Sequence, residues 1–195
     1  GAQTINIAPG TYALSTTSPQ TLAAGTRAVF SSWSDNPNAT HNVTVGAGPI
    51  TITGTFTTQH QLTTAASPAN GGTVTPATGQ FFDAGTVVNL SATPNANFLF
   101  ANWSGPVANA NSATTTITMD APKSATANFS ALTGVTINVP AGVSFSFNNT
   151  TYTGAQTINI APGTYPLSTT SPQTLAPGTR AVFSSWSDNP NATHN

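Results

Sequence analysis

Residues 1–42, GAQTINIAPGTYALSTTSPQTLAAGTRAVFSSWSDNPNATHN, return as residues 154–195 with two changes, Pro166 standing for Ala13 and Pro177 for Ala24. The offset is 153 residues. A near-identical copy at a fixed offset marks recent duplication in an array, so repeat architecture is read before any site is sought. Within the copy, Thr4-Ile5-Asn6-Ile7 alternates polar and apolar side chains, the period of a half-buried strand. Ala8-Pro9-Gly10 follows as a turn.

A weaker repeat lies inside that period. Phe30-Ser31-Ser32-Trp33-Ser34, Phe100-Ala101-Asn102-Trp103-Ser104 and Phe183-Ser184-Ser185-Trp186-Ser187 share the pattern F-x-x-W-S. Each is preceded by Gly-Thr and a strand-like run, as in Gly85-Thr86-Val87-Val88-Asn89-Leu90-Ser91. The first two are followed by a short alternating strand ending in Phe, Ile50 to Phe56 and Ser124 to Phe129. Thr116-Ile117-Thr118-Met119 and Val135-Thr136-Ile137-Asn138-Val139 alternate in the same way. Clusters such as Ser67-Pro68-Ala69-Asn70-Gly71-Gly72, Asp120-Ala121-Pro122 and Asn148-Asn149 stand between the runs as turns. No helical stripe survives among them. The expected fold is all-β: small β-grasp-like or sandwich-like modules in tandem, forming an extended array. Residues 59–131 form one complete module in this reading, with Trp103 and Phe100 in its core. Residues 1–58 are the C-terminal part of a related module whose first strands are missing. Residues 132–195 are the N-terminal part of a second copy of it. Phe56–Gln59 and Phe129–Gly134 serve as short connectors.

The stretch from Gln61-Leu62-Thr63-Thr64 through Gly71-Gly72-Thr73-Val74-Thr75-Pro76, Ala84 to Pro94, Phe100 to Gly105 and Ile117 to Phe129 resembles the divergent internalin-type B-repeat, with several motifs in that family's order and spacing. The resemblance implies a small β-grasp-like module of the kind found in tandem on secreted and surface proteins of bacteria. It also implies a structural or adhesive role, and it supplies no catalytic residues. The neighbouring module is similar only through F-x-x-W-S and the strand-ending Phe.

Charge narrows the function classes. Arg27, Lys123 and Arg180 are the only strong cations and four Asp the only acids, so charged residues are 4% where soluble domains carry about 25%. Nucleic-acid binding is excluded, because neutralising phosphates needs clustered Lys and Arg. The 37% apolar content and regularly placed aromatics argue for packed cores rather than a disordered polar tract. There is no cysteine, hence no disulfide framework and no thiol chemistry. No segment approaches the about 20 apolar residues of a membrane-spanning helix.

Each chemically suggestive residue has a plainer reading. His41, His60 and His194 lack metal-ligand neighbours in sequence and an orienting carboxylate at a recognisable spacing, and they read as surface or turn residues. Asp35-Asn36-Pro37-Asn38 and its copy Asp188-Asn189-Pro190-Asn191 offer oxygens to calcium, but a turn whose side chains bond their own backbone fits better. The Trp residues suit a core more than a sugar-stacking surface. Lys123, the only Lys, sits in a turn-like stretch where exposure is expected, and an isopeptide link would need it buried and facing an Asn. The Asn-x-Ser/Thr sequons, Asn102-Trp103-Ser104 among them, arise by chance in a chain this rich in Asn, Ser and Thr.

No catalytic, cofactor-binding or metal-binding residue is therefore assigned, no cofactor is expected, and the chain is not expected to be an enzyme. Two functions remain. One is a structural repeat region of an extracellular bacterial surface protein, forming a stalk or filament. The other is an adhesive module recognising a glycan or matrix protein. The expected partners are copies of the chain head-to-tail or covalent neighbours in a longer array, with a glycan or matrix ligand in the adhesive reading, and neither nucleic acid nor an inserted membrane. The expected location is extracellular or at the cell surface. Segments 1–58 and 134–195 each lack strands the other possesses, so open sheet edges are expected, and head-to-tail contacts between them would build a filament.

Overall fold

Thr, Val, Ile and Phe fill the periodic segments, and Gly, Pro, Asn and Ser fill the gaps. Branched and aromatic side chains fit a pleated, half-buried surface, and the gap residues supply the backbone conformations that reversals need. The computed structural model describes residues 2–195 and follows this pattern, with 54% strand and no helix among the described residues. The all-β expectation is met. Two compact units are present: one runs up to Pro94 and takes in Phe100–Phe129, and the other comprises Asn95–Leu99 and Ser130–Asn195.

The first unit is built on β1 (Gly10–Ser15), β2 (Gln20–Ala23), β3 (Thr26–Trp33), β4 (Thr40–Val45), β5 (Gly54–Ser67), β6 (Gly72–Thr75), β7 (Gln80–Asp83), β8 (Val87–Pro94), β9 (Phe98–Ser104), β10 (Thr114–Thr118) and β11 (Lys123–Ala131). Its large sheet has the order β2-β3-β5-β11-β9, with β7 also on β5; a three-stranded sheet runs β10-β8-β6, and β1 pairs with β4. Alternate residues of each sheet point inward: Val88, Leu90 and Ala92 from β8, Ile117 from β10, Leu62 from β5, and Ala125, Ala127 and Phe129 from β11 are all buried. The two faces meet at Phe129, whose ring lies where a side chain on Gly71 or Gly72 would be, so the Gly-Gly pair is required by close approach. The buried residues of the large sheet and of the three-stranded sheet thus share one core.

Strand β5 decides how the segments join. Its first half pairs antiparallel with β3, from Thr26↔His60 to Trp33↔Gly54, and its second half pairs parallel with β11, from Lys123↔Leu62 to Asn128↔Ser67. The boundary placed at 58/59, and the Phe56–Gln59 connector, therefore fall inside one 14-residue strand. No proline interrupts that run, and Thr and Phe favour its extension, so the ladder continues through it.

The second unit contains β12 (Thr133–Ile137), β13 (Ser144–Phe147), β14 (Thr150–Thr153), β15 (Gln156–Ile160), β16 (Leu167–Ser168), β17 (Gln173–Ala176), β18 (Thr179–Ala181) and β19 (Thr193–His194). β12 pairs with β15, β17 with β18, and the order β14-β13-β16-β19 forms the third sheet. Asn148 and Asn149, at φ 48° and 59°, make the two-residue reversal between β13 and β14, the left-handed pair that matches strand twist. Ile137, Phe145 and Phe147 are the buried centre, with Ile158, Ile160, Tyr165, Leu167 and Trp186 packed around them.

One expected strand is absent. Thr4–Ile7 is not in a sheet, and Ile5 is 76% exposed, whereas its counterpart Ile158 lies in β15 opposite Val135 of β12. The alternation is identical in both copies. What differs is a partner strand.

Candidate functional site

The F-x-x-W-S stretches fold as one local device, used three times. Each Phe leans on its Trp, with ring centroids 5.6 Å apart for Phe30–Trp33, 5.9 Å for Phe100–Trp103 and 5.5 Å for Phe183–Trp186. Each indole N–H donates to a carbonyl of the loop that follows: Trp33 to Ala39 at 3.3 Å, Trp103 to Ser112 at 2.9 Å and Trp186 to Ala192 at 3.5 Å. Each loop also carries an Asn whose Oδ1 accepts the backbone N–H two residues on, from Asn38, Asn111 and Asn191. Such Asx turns satisfy the backbone locally and account for the Asp-Asn-Pro-Asn stretches as turns. The strand-ending Phe completes the device edge-on, Phe56 on Phe30 at 5.6 Å and Phe129 on Phe100 at 6.2 Å. Trp103 is 4% exposed and belongs to the core. Trp33 and Trp186 are half-buried.

The reading of His41 and His194 as surface or turn residues is corrected. His41 lies in β4 opposite Leu14, its side chain is 7% exposed, and its Nε2 is 3.0 Å from Oδ2 of Asp35. The second copy repeats the pair at 3.1 Å between His194 and Asp188. An orienting carboxylate is thus present, six residues upstream, and the turn between brings it back to the imidazole Nε2. In both, the imidazole sits beside its Trp, with centroids 6.5 Å apart, and Nδ1 is buried without a hydrogen-bond partner. The pair tethers the loop to the strand. No nucleophile hydrogen-bonds the other nitrogen, as a relay would need.

Lys123 is likewise not an exposed turn residue. It opens β11, its side chain is 17% exposed, and its Nζ lies 2.7 Å from Oδ1 of Asp120. The hydrogen bond from Lys123 holds the Asp120 carboxyl below the usual carboxylate range. Arg27 stacks 4.0 Å over the Phe81 ring and donates to Gln59, which in turn donates to Asp83. His60 Nδ1 is 3.3 Å from Thr26 Oγ1. These ionisable groups therefore tie strands to one another or to the loops beside them. Among the described residues no group of three or more His, Cys, Asp or Glu is placed to hold a metal ion.

Two cavities lie in the second unit. One, of about 180 Å³, is lined by Val143, Gln173, Val182, Phe183 and Trp186 among others. The other, of about 710 Å³, is lined by Val135, Phe147, Gly163, Tyr165 and His194 among others.

Residues 62–133 match the family model of the divergent InlB B-repeat domain, a repeat associated with bacterial surface proteins. The resemblance drawn over 59–131 stands on that match. No curated protein and no solved structure matches the chain.

Proposed function

We propose that this chain is a non-catalytic structural repeat region of an extracellular bacterial surface protein, a spacer within a stalk or filament. The observation that carries the reading is the repetition of one local device, with the same rings, indole bonds and Asx turn, at residues 30–38, 100–111 and 183–191. The His–Asp pairs, the Lys123–Asp120 pair and the Arg27–Gln59–Asp83 chain serve the fold. A surface of Thr, Ser, Asn and Gln keeps such modules soluble with few charges.

Electron micrographs of the native protein test this. Long fibres of uniform width are expected. Discrete particles retained on glycan or matrix-protein arrays would replace the spacer with the adhesive module.

A further inference from the structure

Strand β5 is held on both edges. β3 pairs with it from Gly54 to His60, β7 from Gln59 to Leu62 and β11 from Leu62 to Ser67. His60 thus faces β3 and β7 at once, and Leu62 faces β7 and β11 at once, so β3 and β11 follow one another along one edge while β7 takes the other. The loop before β7 extends that second grip. The Gly79 N–H donates to the Leu62 carbonyl at 2.8 Å, the Thr64 N–H to Thr78 Oγ1 at 3.1 Å, and Thr64 Oγ1 to the Pro76 carbonyl at 2.9 Å. Where β3 gives way to β11, the Gln61 N–H donates to the Gly25 carbonyl at 2.8 Å. There Gly25 abuts Pro122 so closely that a Cβ on it would lie 2.9 Å from the proline Cβ. The two modules read from the sequence are therefore joined along a strand and not through a linker.

The direction of β11 decides how such a junction bears load. β5 and β11 run parallel over six register pairs, Lys123↔Leu62 to Asn128↔Ser67. The chain reaches β5 at its N-terminal end, Gly54, and leaves β11 at its C-terminal end, Ala131. Tension along the chain therefore draws two parallel neighbours lengthwise in opposite directions, and every backbone bond between them is loaded at once. In an antiparallel hairpin entry and exit lie at the same end, and tension opens the ladder bond by bond. On the inner face Leu62, Thr64, Ala125 and Ala127 are buried, which keeps water from replacing the bonds as they stretch. On its far side β11 is braced by β9, with Asn128 Nδ2 donating to Asn102 Oδ1 at 2.6 Å and to Ser104 Oγ at 2.9 Å. We propose that the β5–β11 pair is a tension-bearing clamp, through which load on a stalk or filament crosses residues 54–131 without unfolding them. The clamp rests on the spacer reading for its purpose and goes beyond it by naming the part that bears force. Forced unfolding is governed by the height of the unfolding barrier and not by equilibrium stability, so a small core is compatible with this role.

The test is single-molecule force spectroscopy on the full chain, with handles attached through two introduced cysteines; the chain has none of its own. Thr53→Cys with Ser130→Cys pulls β5 and β11 in shear. Ala69→Cys with Ser130→Cys pulls both strands from the same end, beyond Ser67↔Asn128, and peels them apart. All three positions are exposed, so the two chains fold alike and differ in the direction of pull. Pulled in shear, the chain is expected to give way in one step at a force several times that needed to peel it. Six register pairs share the load in the first case, and the last pair meets it alone in the second. Equal forces in the two directions, or shear rupture in several small steps, overturns the proposal. Either result leaves the spacer reading intact, since that reading is tested by particle shape.

Discussion

The same 42 residues occur twice, and the interactions they make within themselves are nearly indistinguishable. Tyr12 donates to Ala8 at 2.9 Å and Tyr165 to Ala161 at 2.7 Å; Gln20 donates to Thr16 at 2.8 Å and Gln173 to Thr169 at 2.9 Å. The rings, the indole bonds and the His–Asp tether repeat as closely. Their sheets do not repeat. Gln156–Ile160 is a strand and its counterpart Gln3–Ile7 is not, whereas Thr26–Trp33 is a full strand and its counterpart shrinks to Thr179–Ala181. Local hydrogen bonds depend on residues a few positions apart and travel with the sequence. Strands are stabilised pairwise, so each forms only where a neighbour supplies the other half of the ladder. Pro166 adds a covalent difference: it has no N–H, and β16 begins only after it, where β1 passes through Ala13.

Several experiments can break or sharpen this comparison. The largest effect is expected at the third example of the device. Trp103→Ala should cost about 3–5 kcal/mol in denaturant titration, the range for deleting a buried aromatic. Trp33→Ala and Trp186→Ala should each cost less, since both rings are half-buried. Equal losses at all three would show that the local lock, rather than burial, carries the stability.

Next, Gly72→Val forces a side chain into the Phe129 ring and should destabilise the first unit by about 1–3 kcal/mol, the usual scale for overpacking. The unfolding of the second unit, followed by hydrogen exchange in β12–β15, should be unchanged. A shift there would mean that the two units unfold as one.

A smaller effect is expected from the tethers. His41→Ala and His194→Ala remove the same bond, worth about 0.5–1.5 kcal/mol. The loss should be larger at His41, because Asp35 is 38% exposed and Asp188 68%, and solvent screens the second pair more. Paired denaturant titrations of the two variants check the order, and a larger loss at His194 would reverse it.

The smallest concerns Asp120. Its carboxyl is held below the ordinary range by Lys123, so its contribution is present above the unfolded pKa and disappears as pH falls through the depressed folded value. Asp120→Asn should lower the thermal midpoint slightly at neutral pH, and the gap to the unsubstituted chain should close in acid. A gap that persists at low pH would point to shape rather than charge.

The sequence by itself determined the all-β class, the duplicated stretch, the Asp-Asn-Pro-Asn turns, the burial of Trp103 and the kinship of residues 62–133 with the B-repeat. These follow from composition, from side-chain period, from the identity of the two copies or, for the B-repeat, from motifs that stand in that family's order and spacing, none of which needs knowledge of what lies across space. Only the tertiary structure decided that β5 runs unbroken from Gly54 to Ser67, that Thr4–Ile7 forms no strand, that His41 finds Asp35 and that Lys123 is sheltered. Each of these depends on which strand or loop comes to lie alongside. Alternation says that a segment is ready to pair, but the partner is fixed by chain reversals whose geometry is not local.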